Sequence, residues 1–290
     1  MTIKQITIIG LGNIGGSIGL AVRNSEMANV TVTGYVRRED AGREALRLGV
    51  VDRVSDDLGD AVSGADLVVL ATPVSAMETV MQQINPYLAS GTVVVDVGST
   101  KVDVNSWGRQ HIGPAATFIG GHPMAGSAAT GIAGANGDLF RDTVFCVVPE
   151  PDTPRSAHRM LEQLLEWVGA RPLPMSAPQH DQCVANASHL PMLLASVLVT
   201  TVANNPQWDV TSQLAAQGFR EMTRMTAGSA EVRRSICSTN KQAISDAIGG
   251  FIDTLENYRQ HILEDDEELL AMFEDARSAR SGWVAMRYPR

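Results

Sequence analysis

The stretch Ile3-Lys4-Gln5-Ile6-Thr7-Ile8-Ile9-Gly10-Leu11-Gly12-Asn13-Ile14-Gly15 decides the fold. Residues 3–9 are an apolar run rich in β-branched side chains, the pattern of a buried strand. The run breaks directly into Gly-x-Gly-x-x-Gly, and a helix-like stretch follows from about Asn13 to Arg23. Gly10 permits the tight turn, Gly12 lets the backbone approach a pyrophosphate, and Gly15 lets helix and strand pack closely. The amides at the helix N-terminus then face negative charge. At the first strand–helix junction of a βαβ array this motif reads as a dinucleotide site formed by Gly10, Gly12, Asn13, Ile14 and Gly15.

The array is there. A second strand is expected at 30–35, a helix near 39–48, a third strand at Leu67–Leu70, a helix over 75–88 and a fourth strand at Thr92–Val95. Strand-like runs at 117–119 and 143–148, with a helix between about 154 and 168, complete this half. Alternation at this spacing predicts an α/β fold, with parallel strands and helices on both faces. The first 175 residues thus read as a Rossmann-type dinucleotide-binding domain.

After Pro174 glycine thins out, β-branched runs stop and helical periodicity takes over, so residues 176–290 read as an all-helical domain. Leu190, Leu193, Leu194, Val197 and Leu198 share one helical face. Ile244, Ile248, Phe251, Leu255, Tyr258 and Ile262 recur in alternating steps of four and three, a seam of about 3.5-residue period. These long apolar faces either line the domain's own core or meet a second subunit. The helical half is small for so much apolar surface, which favours a homodimer formed through it.

Composition narrows the function. The 290 residues hold 23 basic and 32 acidic side chains, a formal charge of −9, which argues against a general nucleic-acid binder. Cys146, Cys183 and Cys237 lack CxxC spacing and cannot all pair with one another, so neither a disulfide framework nor a metal site is expected. No apolar run is read as reaching membrane-span length, and the chain enters a strand almost at once, so neither membrane nor secretion signal is expected. The cytoplasm is the expected compartment. Lysines occur only at 4, 101 and 241, which removes most lysine-based chemistry.

The second strand ends in Gly34-Tyr35-Val36-Arg37-Arg38-Glu39. An NAD site usually has an acid there for the ribose 2′-hydroxyl, but here two arginines stand where a 2′-phosphate would lie. Arg37 and Arg38 therefore favour NADP over NAD, although Glu39 could still serve a ribose and both arginines could be solvated.

Three further stretches place polar groups where a core would not want them: Asp96-Val97-Gly98-Ser99-Thr100-Lys101, Gly121-His122-Pro123-Met124-Ala125-Gly126-Ser127, and Gly218-Phe219-Arg220-Glu221-Met222-Thr223-Arg224. In open α/β sheets, ligands bind beyond the carboxyl ends of strands, which suits Ser99. Together with Ala71-Thr72-Pro73 and Ser188-His189-Leu190-Pro191, these stretches make nearly the whole chain resemble the prephenate and arogenate dehydrogenases of tyrosine biosynthesis.

The resemblance implies an oxidoreductase that oxidatively decarboxylates arogenate, prephenate or both. His122 matches the histidine that takes the ring hydroxyl proton, and Ser99 the serine that orients that hydroxyl. Arg224 matches the arginine on the ring carboxylate; Gly126, Ser127 and His189 match substrate-pocket positions, and Thr72 and Pro73 fall on the cofactor side. Each has a plainer alternative: His122 a loop histidine, Ser99 a helix cap, Arg220 and Arg224 surface charges, His189 a residue holding a helix start. His111, His158, His180 and His261 have no motif context.

Departures from the family pattern favour the NADP-linked, arogenate-preferring branch. Met192 stands where many prephenate-preferring members have a second histidine, and Ala128 where many have an acid. Glu221 is a candidate partner for arogenate's ammonium. No regulatory βαββαβ domain fits after the helices, so allosteric control by tyrosine through one is not expected. Three alternatives remain: a β-hydroxyacid dehydrogenase, disfavoured because no lysine lies between Lys101 and Lys241; a 4-amino-4-deoxyprephenate dehydrogenase; and a non-catalytic NADP sensor, disfavoured because Ser99, His122 and Arg224 occur together.

Overall fold

The structure, a computed structural model, describes residues 3–126, 131–264 and 267–288. Strand β1 (Gln5–Ile9) passes through the glycine turn into α1 (Asn13–Asn24), followed by β2 (Thr31–Tyr35), α2 (Glu39–Arg47), β3 (Arg53–Ser55) and α3 (Leu58–Val62). Then come β4 (Leu67–Leu70), α4 (Val74–Ile84), β5 (Val93–Asp96), α5 (Val102–His111), β6 (Thr117–Pro123), β7 (Val144–Val148), α6 (Arg155–Val168) and β8 (Arg171–Pro174). The eight strands form one sheet in the order β3-β2-β1-β4-β5-β6-β7-β8. The first six are parallel in the doubly wound order, so the chain reverses its direction of winding between β1 and β4.

The central strands β4 and β5 are buried on both faces, which is why they are apolar throughout rather than alternating. Leu67, Val69, Val93 and Val95 point into one core, with Ile18 and Val22 of α1 and Leu161, Leu164 and Leu165 of α6. Val68, Leu70 and Val94 point into the other, with Met77, Met81 and Ile84 of α4.

Two features of the sheet differ from the sequence expectation. The short strand β3 precedes Leu67–Leu70, which is thus the fourth strand. Strand β7 runs antiparallel to β6, and β8 parallel to β7. The connection from β6 to β7 holds no crossover helix among the described residues, only the 3-10 turn Ile132–Gly134, and a parallel pair would need a longer crossover.

After β8 the described chain is helical: α7 (Ala177–Val184), α8 (Leu190–Ala203), α9 (Trp208–Leu214), α10 (Gln217–Thr223), α11 (Ala230–Thr239), α12 (Lys241–Glu264) and α13 (Glu268–Arg287). A π turn, Ala185–His189, joins α7 to α8, with the Leu190 amide donating to the Ala185 carbonyl five residues back. Pro191 has no N–H to continue the α-helical ladder, which accounts for the wider turn here. The continuous run Ala177–Ala203 is long and apolar enough to cross a membrane by length and composition, contrary to the sequence expectation. Its α7 part packs on α5 and β7 and carries buried His180 and Asp181, His189 is buried on the π turn, and 28% of the apolar window is buried.

The chain divides into two compact units, Met1–Lys241 and Gln242–Arg290. In the second, Tyr258 Oη donates to the Met272 carbonyl and its ring lies 5.6 Å from that of Phe273. Ile248, Leu255 and Ile262 of the seam are exposed, as are Leu270, Phe273 and Trp283 on α13.

The glycine turn yields a test of packing. Gly10 has φ +103°, and a Cβ on Gly15 would lie 2.0 Å from the Gly10 carbonyl oxygen, whereas one on Gly12 would meet nothing within 4 Å. Gly15→Ala is expected to lower Tm by roughly 2–12 °C, the effect of about 1–3 kcal/mol of overpacking in a chain of this size. Gly12→Ala should leave Tm within about 2 °C. Thermal unfolding of the two variants checks both.

Candidate active site

The carboxyl ends of β1, β4, β5 and β6 build the site. At β1 and β4, Gly10 faces the Ala71-Thr72 backbone so closely that a Cβ would lie 2.6 Å from the Ala71 carbonyl oxygen. Pro73 caps α4 immediately afterwards, and Thr72 Oγ1 is buried without a hydrogen-bond partner among the described residues. Leu11 of the glycine turn packs over Gly34 of β2, and Arg37 and Arg38 follow, exposed, at the end of that strand. Arg38 lies 3.6 Å from Asp40, and Glu39 is paired with Arg43 rather than held toward the turn. Gly12 caps α1 with no side chain in the way, so the amides of Asn13 and Ile14 open onto a cradle that a phosphate fits. The residues present suit a dinucleotide.

The ends of β5 and β6 are tied by one carboxylate. Asp96 is wholly buried; Oδ1 accepts from the Gly121 amide at 3.0 Å, and Oδ2 from the Gly98 amide at 2.7 Å and from Lys101 Nζ. Burial pushes the Asp96 carboxyl up and the Lys101 ammonium down, and the attraction between them opposes both. This strut fixes the loop bearing Ser99 beside the strand end bearing His122. Ser99 sits half-buried in that loop, and it does not cap the next helix: Lys101 occupies the cap position. Asp181, 80 residues along the chain, takes the Lys101 amide at 2.7 Å and the Val102 amide at 2.9 Å.

His122 is only 9% exposed. Burial lowers its pKa well below the ordinary histidine range, helped by His180, Lys101 and His189 nearby. Its Nδ1 lies 2.9 Å from His180 Nε2, and His180 Nδ1 lies 2.7 Å from Asp181 Oδ1. His189, on the π turn, is buried with its Nδ1 3.3 Å from Asn240 Nδ2, which also donates to the Asp181 carbonyl at 2.8 Å. Asn240 Nδ2 can donate to Nδ1, and Nε2 has no hydrogen-bond partner among the described residues. Burial brings the His189 pKa down to about 4, with the Asp181 carboxylate and the Ser99 backbone pulling the other way.

Helix α11 closes over these strand ends. The Ser75 amide donates to Ser235 Oγ at 2.9 Å, and the Thr100 and Thr239 hydroxyls meet at 2.8 Å. The remaining sequence candidates lie further out. Arg224 is exposed on a 3-10 turn, Arg224–Ala227, that packs on α8; Arg220 and Glu221 are exposed on α10, with Glu221 accepting from Gln217 Nε2 at 2.7 Å. Gly126 is exposed, Met192 is buried, and Ser127 and Ala128 lie outside the described residues.

The structure thus brings His122, Ser99 and His189 together and does not join them to Arg224 through any described contact. Sequence reasoning missed His180, Asp181 and Asn240. The one available signal was the adjacent His180-Asp181 pair, just after a helix start capped by Ser176 and followed by Pro178.

Known proteins match along almost the whole chain. The prephenate dehydrogenase nucleotide-binding domain matches residues 18–173, and the prephenate dehydrogenase dimerization domain matches residues 176–275. The prephenate dehydrogenase of Bacillus subtilis (strain 168) is 31% identical over 96% of this chain and 75% of its own length. The cyclohexadienyl dehydrogenase of Zymomonas mobilis is 34% identical over 96% of this chain and 95% of its own. Among solved structures, Aquifex aeolicus prephenate dehydrogenase in complex with hydroxyphenyl propionate and NAD+ superposes with a TM-score of 0.90 at 26% identity, covering 97% of this chain and 99% of that one. Synechocystis arogenate dehydrogenase gives a TM-score of 0.82 at 27% identity, covering 97% and 100%. With both of its domains matched in order, the chain belongs to the prephenate dehydrogenase family of oxidoreductases.

Proposed function

We propose that the protein oxidatively decarboxylates arogenate, prephenate or both, giving tyrosine or 4-hydroxyphenylpyruvate, with arogenate and NADP preferred. The observation that carries the reading is a buried histidine held neutral at the end of β6, beside a dinucleotide cradle at the ends of β1 and β4. The division of labour follows: residues 1–175 hold the cofactor, and residues 176–290 hold substrate and pair two subunits. The exposed Ile248, Leu255 and Ile262 support a homodimer.

Gly10, Gly12, Asn13, Ile14 and Gly15 hold the pyrophosphate, Thr72 and Pro73 border it, and Arg37 and Arg38 take a 2′-phosphate. When bound, the nicotinamide supplies the hydride acceptor. His122 Nε2 takes the ring hydroxyl proton as the carbinol carbon is oxidised, and returns it to the phenolate oxygen once carbon dioxide has left. Ser99 orients that hydroxyl. Arg224 pairs with the ring carboxylate, His189 Nε2–H donates to the substrate, Gly126 lines its pocket, and Glu221 faces the arogenate ammonium.

A second reading, prephenate with NAD, is favoured by the prephenate dehydrogenase name of the Bacillus relative and by the NAD+ in the Aquifex complex. Initial rates at 340 nm, crossing prephenate and arogenate with NAD and NADP, separate the two. Fast NADP reduction with arogenate is the expected result. Prephenate with NAD as the fastest pair would support the second reading, and no turnover in any pair would remove both.

His122→Asn is expected to lower kcat by about two to four orders of magnitude while nucleotide affinity persists. The base must be neutral to act, and its pKa is depressed. The acid limb of wild-type kcat/KM therefore falls below the ordinary histidine pKa of about 6.5, leaving activity flat through neutrality. A pH–rate profile reads this directly. Arg224→Ala should raise the substrate KM more than tenfold with a smaller change in kcat, and an unchanged KM would remove Arg224 from the carboxylate site.

A further inference from the structure

We infer that His180 and Asp181 are positioning residues for His122: they hold its ring proton on Nδ1 and leave Nε2 as the bare nitrogen that meets the substrate hydroxyl. The inference rests on the reading of His122 as the base.

The hydrogen-bond chain fixes each proton in turn. Both oxygens of Asp181 accept backbone amides, those of Lys101 and Val102, so the group is a carboxylate with no proton to donate. His180 Nδ1, 2.7 Å from Asp181 Oδ1, must then carry its N–H toward it. With His180 neutral, as the inference takes it, the ring has a single N–H and its Nε2 is an acceptor. His122 Nδ1, 2.9 Å away, must donate to that atom, and its own proton is thereby spent on the side away from Nε2. The rings meet edge to face, at 62° with centroids 5.1 Å apart, and His180 is wholly buried.

The same chain acts when His122 accepts a proton. Its Nδ1–H bond to His180 becomes charge-assisted, and the Asp181 carboxylate stands one ring behind it, as the carboxylate of a hydrolase triad stands behind its histidine. The other charged and titratable groups around His122 are the Lys101–Asp96 pair from the β5 end, His189 from the π turn, and Cys146 opposite it on β7.

Two experiments test this. Long-range 1H–15N spectra of the 15N-histidine-labelled protein near pH 7, without substrate, should show both His122 and His180 protonated on Nδ1. A His122 proton on Nε2 overturns the assignment. Because no turnover is needed, this result stands apart from the substrate assay: the positioning can fail with the enzyme active, or hold with a different substrate.

In the second, His180→Leu should lower kcat about 10- to 100-fold with substrate and nucleotide KM within about twofold. His180→Gln, whose amide oxygen can take the place of Nε2, should recover most of kcat. Unchanged kcat in the leucine variant overturns the inference. So does a loss shared with KM that glutamine does not repair, since that assigns His180 to packing alone.

Discussion

The Asp181 carboxylate is the constraint on which the site depends. A buried carboxylate must have its lone pairs met, and Asp181 meets them by capping the N-terminus of α5 with two backbone amides and taking the His180 N–H. Helix α5 has no side-chain cap of its own, so its open amides and the positive end of its dipole find their anion on a helix 80 residues along the chain. This arrangement bonds the first turns of the helical half to the sheet domain. It places α7, and with it the π turn carrying His189, directly behind the strand end that presents His122. Asn240 extends the connection by donating to both the Asp181 carbonyl and His189, which brings the end of α11 into the same network.

The strand ends supply the other half of the geometry. The sheet reverses its winding between β1 and β4, and there Gly10 packs closely on the Ala71-Thr72 backbone while a Cβ on Gly12 would meet nothing within 4 Å. Two strands along, Asp96 and Lys101 lock β5 to β6. Near these strand ends, Thr72 Oγ1 and His189 Nε2 are buried and have no hydrogen-bond partner among the described residues. An orphaned buried polar group costs about 1–3 kcal/mol, a cost that a ligand bonding to it would relieve.

The parts of the structure legible in the sequence were those whose signal is local. The strand Gln5–Ile9, its glycine turn and α1 could be read because burial on both faces demands a continuous apolar run and the turn demands glycine at fixed positions. Strand β3 has only three residues, and β8 carries Pro172 and Pro174 at the far edge of the sheet, where missing N–H groups are tolerated and no apolar run is needed. The antiparallel sense of β7 is set by how the chain returns from β6, which strand composition does not encode. His122 and Ser99 were legible through motifs, but His180 was not. Its importance arises from a contact across 58 residues that no spacing rule specifies, and the same is true of Asp181 and α5.

The weakness of His122 as a base fits the reaction proposed for it. A stronger base, such as a lysine amine, would be protonated at neutral pH and unable to accept. His122 stays neutral because burial and the neighbouring His180, Lys101 and His189 all oppose a charge on it. That costs little, because the hydroxyl it must deprotonate does not stay an alcohol. As the carbinol carbon loses its hydride, the O–H becomes that of a protonated carbonyl, a strong acid, so a modest base with a correctly aimed lone pair suffices. What the site must guarantee is the aim, and an isolated imidazole would divide its proton between two nitrogens. The buried chain from Asp181 through His180 removes that freedom, so the depressed basicity and the fixed tautomer are complementary consequences of enclosing the same three side chains.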